Sequence, residues 1–151
     1  MPHALPTRPM RIDSRAMAEG RFLGSDSRTV EQIVAHDAAT LASLGTTCQQ
    51  MAEVLEKAFL AVRAGLGTSV SLSPTLTGIF HDAMGRVPSP FLGDGVFEKG
   101  EAVIVDQATG ERLVVTRLSI HLIRAHGFFQ GRNSIYRVEP SVAAAMLIAV
   151  R

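Results

Sequence analysis

Apolar side chains recur at Val30, Val34, Leu41, Leu44, Cys48, Met51, Leu55, Ala58 and Val62, in steps of four and three, with Asp37 standing in the one gap. That spacing lays them along one face of a helix, and no other feature constrains the fold as much. One helix over 29–64 would run about 54 Å, longer than a compact domain of this size can cover. Gly45 supplies a break, because glycine suits the left-handed position just past a helix end. Thr46 or Thr47, followed three residues later by Gln49 or Gln50, then forms a capping box for a second helix, and Thr29 with Gln32 opens the first in the same way. The stripe therefore predicts helices over about 29–44 and 47–64, folded back as an antiparallel pair. The alternative is one continuous helix, in which Val34, Leu41, Leu44, Met51 and Leu55 drive a coiled-coil dimer. Gly45 opposes that by only about 1 kcal/mol.

Residues 1–27 carry Pro2, Pro6 and Pro9 and no sustained period, and are expected to form a disordered tail before a single domain over 28–151. In "PTLTGIFHDAMG", Leu76, Ile79, Phe80 and Met84 share a helical face, which predicts a short helix. "RVPSPFLGDGVFEKG" reads as a loop. "EAVIVDQATGERLVVT" places two β-branched runs around a Gln-Ala-Thr-Gly turn, a hairpin. "RLSIHLIRAHG" follows as a helix ended by Gly127, then "SIYRV" as a strand. Pro140 suits the first turn of a last helix, since its missing N–H has no partner to lose there. The fold class expected is α+β: an N-terminal helical pair or one long helix, a small antiparallel sheet and two C-terminal helices.

A chain of 151 residues with 46% hydrophobic and 19% charged side chains is a globular domain with one core. Its formal net charge of +1 is too small for a polyanionic partner to be drawn to the chain as a whole. The single cysteine, Cys48, excludes an internal disulfide and fits a reducing compartment, so the expected location is cytoplasmic. "SVAAAMLIAV" is too short to cross a bilayer, which takes about 20 residues, and no membrane partner is expected.

Charge is nevertheless segregated. Arg112, Arg117, Arg124, Arg132 and Arg137 fall in a stretch without any acid, while residues 98–111 hold four. Arg117, His121 and Arg124 lie within about 60° on their helix. Helix, glycine, strand, basic turn and strand in this order resemble the end of a winged-helix domain. The resemblance implies a recognition helix and a wing that bind nucleic acid through Arg117, His121, Arg124, Arg132 and Arg137. The competing reading is a solvated face that pairs with the acidic hairpin before it.

Catalytic and metal signals are sparse. His36-Asp37 and His81-Asp82 are similar to the dipeptides of HD-type phosphohydrolases, but a metal site of that kind needs a further upstream histidine and a distant aspartate. His121 and His126, five residues apart, fall on nearly opposite sides of a helix, so no shared metal is expected. "GDG" lacks the acidic ladder of a calcium loop, "GLGTS" lacks the lysine of a phosphate loop, and both read as turns. Cys48 has no histidine beside it in sequence. Without a catalytic set, cofactor or metal, the reading is a non-enzymatic binding or protein-interaction domain. Its partner would be a second copy through the helical stripe, or another protein through the sheet edge and the "VPSPF" loop. Nucleic-acid binding is the alternative.

Overall fold

The computed structural model describes residues 11–150. Five α-helices are found among them: α1 (Ser14–Glu19), α2 (Val30–Ser43), α3 (Cys48–Arg63), α4 (Arg117–His126) and α5 (Pro140–Leu147), followed by a short 3-10 turn. The strands are β1 (Val70–Ser71), β2 (Leu76–His81), β3 (Arg86–Pro88), β4 (Val96–Glu98), β5 (Glu101–Asp106) and β6 (Arg112–Thr116). Four of these form an antiparallel sheet in the order β1-β2-β5-β6, while β3 and β4 make a separate hairpin. The result is a mixed α+β fold, and no helix among the described residues is long and apolar enough to cross a membrane.

The break in the stripe falls where glycine was expected to place it. Gly45 takes φ +76°, Thr29 and Gln32 cap α2 reciprocally, and the Thr47 side chain accepts from the Gln50 N–H at the start of α3. The two helices do not mainly face each other, however: α3 lies on α4, and α2 on α5. Leu41, Met51, Leu55, Ala58 and Val62 are buried in the main core with Leu76, Ala102, Ile104 and Val115 from the sheet. Val34 is half-buried and packs on a second cluster, and Leu44 is 48% exposed. Most of the stripe thus closes this chain's own core, which leaves little of it for a dimer seam.

Four local expectations are corrected. Residues 76–81 form a strand, paired with β5 along its whole length from Leu76↔Asp106 to His81↔Glu101. Gly78 is buried there against Val62 of α3, so closely that a Cβ would come within 2.4 Å of Val62 Cγ2. A helix would lose both the sheet pairing and this approach. The expected loop over 86–100 contains the β3–β4 hairpin, with Arg86↔Glu98 and Pro88↔Val96 in register. "SIYRV" is a run of turns with no strand partner, and its side chains are anchored instead: Tyr136 on Glu101 and Arg137 on Asp37. Finally, the part of the expected tail that is described, residues 11–27, is packed. Met17 and Phe22 are buried in the second cluster with Ile33, Phe91, Leu118, Leu122 and Phe128. Backbone bonds from Asp13 N to Pro90 O, Gly131 N to Phe22 O and Ser25 N to Arg132 O fasten the segment. Its apolar residues serve that cluster at irregular spacing, so they carry no period of their own. Residues 1–10 of the expected tail lie outside the described residues.

Candidate metal centre

The helix α4 starts on a capping box, Thr116 with Ser119, and ends at Gly127 in the left-handed conformation at φ 65°. Its buried side holds Leu118, Ile120, Leu122 and Ile123, which fixes its rotation and so the direction of His121 and His126. The turn of the β3–β4 hairpin reaches across to this helix. Gly93 and Gly95, at φ +88° and +86°, bracket Asp94, a backbone course that residues with a Cβ adopt only at a cost. Ser89 sets the turn: its N–H donates to Gly95 O at 3.0 Å, and its Oγ accepts from the Phe91 N–H at 3.1 Å.

The two imidazoles and the carboxylate meet there. His121 Nε2 lies 2.8 Å and His126 Nε2 2.7 Å from the same Asp94 Oδ2, which also accepts from Ser89 Oγ at 2.9 Å. The Asp94 side chain is wholly buried and that of His126 nearly so, whereas His121 is 23% exposed. Phe91 stacks on His126 at 3.9 Å between ring centres, and Phe97 tilts over His121 at 4.7 Å. Both ring planes are therefore held by packing. One ligand atom from each of Asp94, His121 and His126 can be chosen so that all three lie within 4.8 Å of one another.

Burial pushes the Asp94 carboxyl up, but the hydrogen bonds from His126, His121 and Ser89 outweigh it and hold it at about 2. At neutral pH the group is a carboxylate. Three donors on one oxygen exceed its two lone pairs. A cation at their point of convergence would take the imidazole nitrogens and the carboxylate as ligands instead. A tetrahedral centre at about 2.0–2.1 Å from its ligands spaces them roughly 3.4 Å apart, so shifts of less than about 1 Å would admit it. Two imidazoles and a carboxylate suit first-row transition metals such as zinc or iron, and a set of three leaves a coordination position open.

The helix geometry that argued against a shared metal does not keep His121 and His126 from meeting at one carboxylate. They are about 140° apart around the axis, but His126 is the last residue of α4, and Asp94 comes from another element to stand between the two rings. As sequence, Asp94 reads as part of a turn and His126 as lying across the helix from His121, so neither points to this cluster. The available signals were an aspartate between two glycines and a histidine next to the glycine that ends the helix.

The other expected site residues are scattered. Arg117 and Arg124 both engage Glu56, at 3.7 and 3.0 Å, and the Arg117 guanidinium lies over the Phe59 ring at 5.2 Å. Arg137, with a side chain 9% exposed, grips buried Asp37 through two bonds of 2.8 and 2.9 Å and also bonds Gln130 O and Glu139. Burial alone would lower its pKa, yet Asp37 and Glu139 hold it well above the usual arginine value. Arg132 is exposed at a turn, where its backbone N–H donates to Asp26. His36, His81 and Asp82 are exposed and form no cluster with Asp37. The Cys48 thiol is half-buried, and burial pushes its pKa up, away from a reactive thiolate. Comparison with protein-family models, curated proteins and solved structures finds no match to this chain.

Proposed function

We propose that the protein is a non-enzymatic binding module whose ligand is a divalent first-row transition-metal ion, held by Asp94, His121 and His126. The observation that carries this reading is the convergence of both Nε2 atoms on one buried carboxylate oxygen. The partial exposure of His121 favours an open position toward solvent and hence an exchangeable ion. Half-buried Cys48 fits a cytoplasmic setting. The nucleic-acid alternative has less support, because Arg117, Arg124 and Arg137 are engaged by Glu56 and Asp37. The test is equilibrium dialysis of the full chain against Zn2+ and Co2+, with Mg2+ as the control, together with the visible spectrum of the Co2+ form. One Zn2+ or Co2+ per chain is expected, lost in His121→Ala and in His126→Ala, with no uptake of Mg2+. Substoichiometric uptake, or full uptake by the double histidine variant, would overturn the proposal.

A further inference from the structure

A cavity of about 290 Å3 lies among β3, the start of α4 and the turns around Gly20 and Gln130. That is the small end of the range for ligand sites. Phe22, Val87 and Leu118 give it an apolar wall, and Gln130, Tyr136, Glu101 and Lys99 give it polar groups.

Gln130 is the unusual member. The residue is 3% exposed, and its backbone takes φ +76°, a left-handed conformation that strains a residue with a side chain. Its Oε1 accepts from Ser134 Oγ at 2.7 Å, and its backbone carbonyl accepts from Arg137 at 2.6 Å. The amide is thereby oriented, and its Nε2 donates to no group among the described residues. That Nε2 still reaches solvent, so an acceptor brought by a ligand would take the place of water there. Lys99 adds a second donor, with no ion pair among the described residues. Glu101 supplies the opposite character. Its Oε2 accepts from Tyr136 Oη at 2.5 Å, which leaves the other carboxylate oxygen and the Tyr136 lone pairs as acceptors.

Donors, acceptors and an apolar wall thus share one small space. We propose that this cavity binds a small zwitterion, an α-amino acid with an apolar side chain. Its carboxylate would meet Gln130 Nε2 and Lys99, its ammonium Glu101, and its side chain Phe22, Val87 and Leu118. The proposal does not depend on the metal centre, and the same result is expected with and without Zn2+.

Isothermal titration of the full chain with L-leucine tests it, with isovalerate and isopentylamine as probes that each carry one half of the charge. Saturable binding of L-leucine is expected, with each half-probe at least about tenfold weaker. Gln130→Met and the exposed Lys99→Ala are each expected to weaken L-leucine by about tenfold, with circular dichroism confirming that the variants are folded. No saturable binding of L-leucine, a half-probe binding as well as the zwitterion, or unchanged affinity in Lys99→Ala would each overturn the proposal.

Discussion

Arg137 and Asp37 lie 100 positions apart in sequence, and their pairing ties the C-terminal turns to α2. Changing Asp37 to alanine leaves the guanidinium buried with only the Gln130 carbonyl and the half-exposed Glu139 carboxylate as partners. Removing one member of a buried pair costs about 3–5 kcal/mol, because the remaining charge is uncompensated. Since two of the Arg137 contacts survive, the expected loss is near the lower end, about 3 kcal/mol. At about 2–4 °C per kcal/mol for a chain of this size, Tm should fall by about 6–12 °C. Urea unfolding of wild type, Asp37→Ala, Arg137→Met and the double variant completes a cycle, in which the double variant should lose less than the two single changes summed. A loss below about 1 kcal/mol in Asp37→Ala would refute the reasoning, since Arg137 would then be solvated rather than dependent on Asp37.

Other outcomes follow from the same contacts. Leu41→Ala, within the core, should cost about 2–5 kcal/mol, whereas Leu44→Asp at a half-exposed position should change stability by less than about 0.5 kcal/mol; equal losses in thermal melts would restore the stripe as an interface. Tyr136 is the single tyrosine, so ultraviolet titration of tyrosinate reads it alone. The Glu101 hydrogen bond, helped by burial, raises it to about 12, and Glu101→Gln should bring it back toward 10. Because the folded pKa is raised, this contact's stabilisation is complete below pH 10 and is lost as pH rises toward 12. Asp26 shifts the other way: hydrogen bonding from Arg28, opposed by burial, holds its carboxyl well below the usual range. Its contribution should be present above the ordinary aspartate pKa and lost as pH falls below it, so acid melts of Asp26→Asn should show a shallower pH dependence.

Glycine and capping chemistry made much of the fold legible. Gly45 and Gly127 have the left-handed φ that their positions implied, Thr29 with Gln32 marks the start of α2 by local bonding, and Pro140 marks that of α5 by its fixed backbone. What failed depended on distant partners. Leu76, Ile79 and Phe80 fit a helical face equally well, and only pairing with β5 and the contact of Gly78 with Val62 select the strand. The basic stretch was legible as sequence but not as surface, because Glu56 and Asp37, which engage three of its arginines, are far away in the chain. The candidate metal centre was hidden for a related reason: His121 was in view, but Asp94 joins it only through the hairpin turn, and a rotation about one helix axis says nothing of a carboxylate arriving from outside.

The lock between the N-terminal segment and the turn at 131–134 sets an order of assembly. Gly131 sits so tightly on Leu23 that a Cβ would approach its carbonyl oxygen to 2.1 Å, and Ser25 bonds Arg132 across 107 positions. Residues 11–27 leave the ribosome before the turn at 131–134, yet cannot complete their packing until that turn has followed. Contacts closed over so long a loop slow folding, and through synthesis Met17 and Phe22 remain uncovered by their last neighbours. The nascent chain therefore presents this apolar segment while the 107 positions between Ser25 and Arg132 are made, which makes residues 11–27, rather than the sheet edges, the first place to look for chaperone capture.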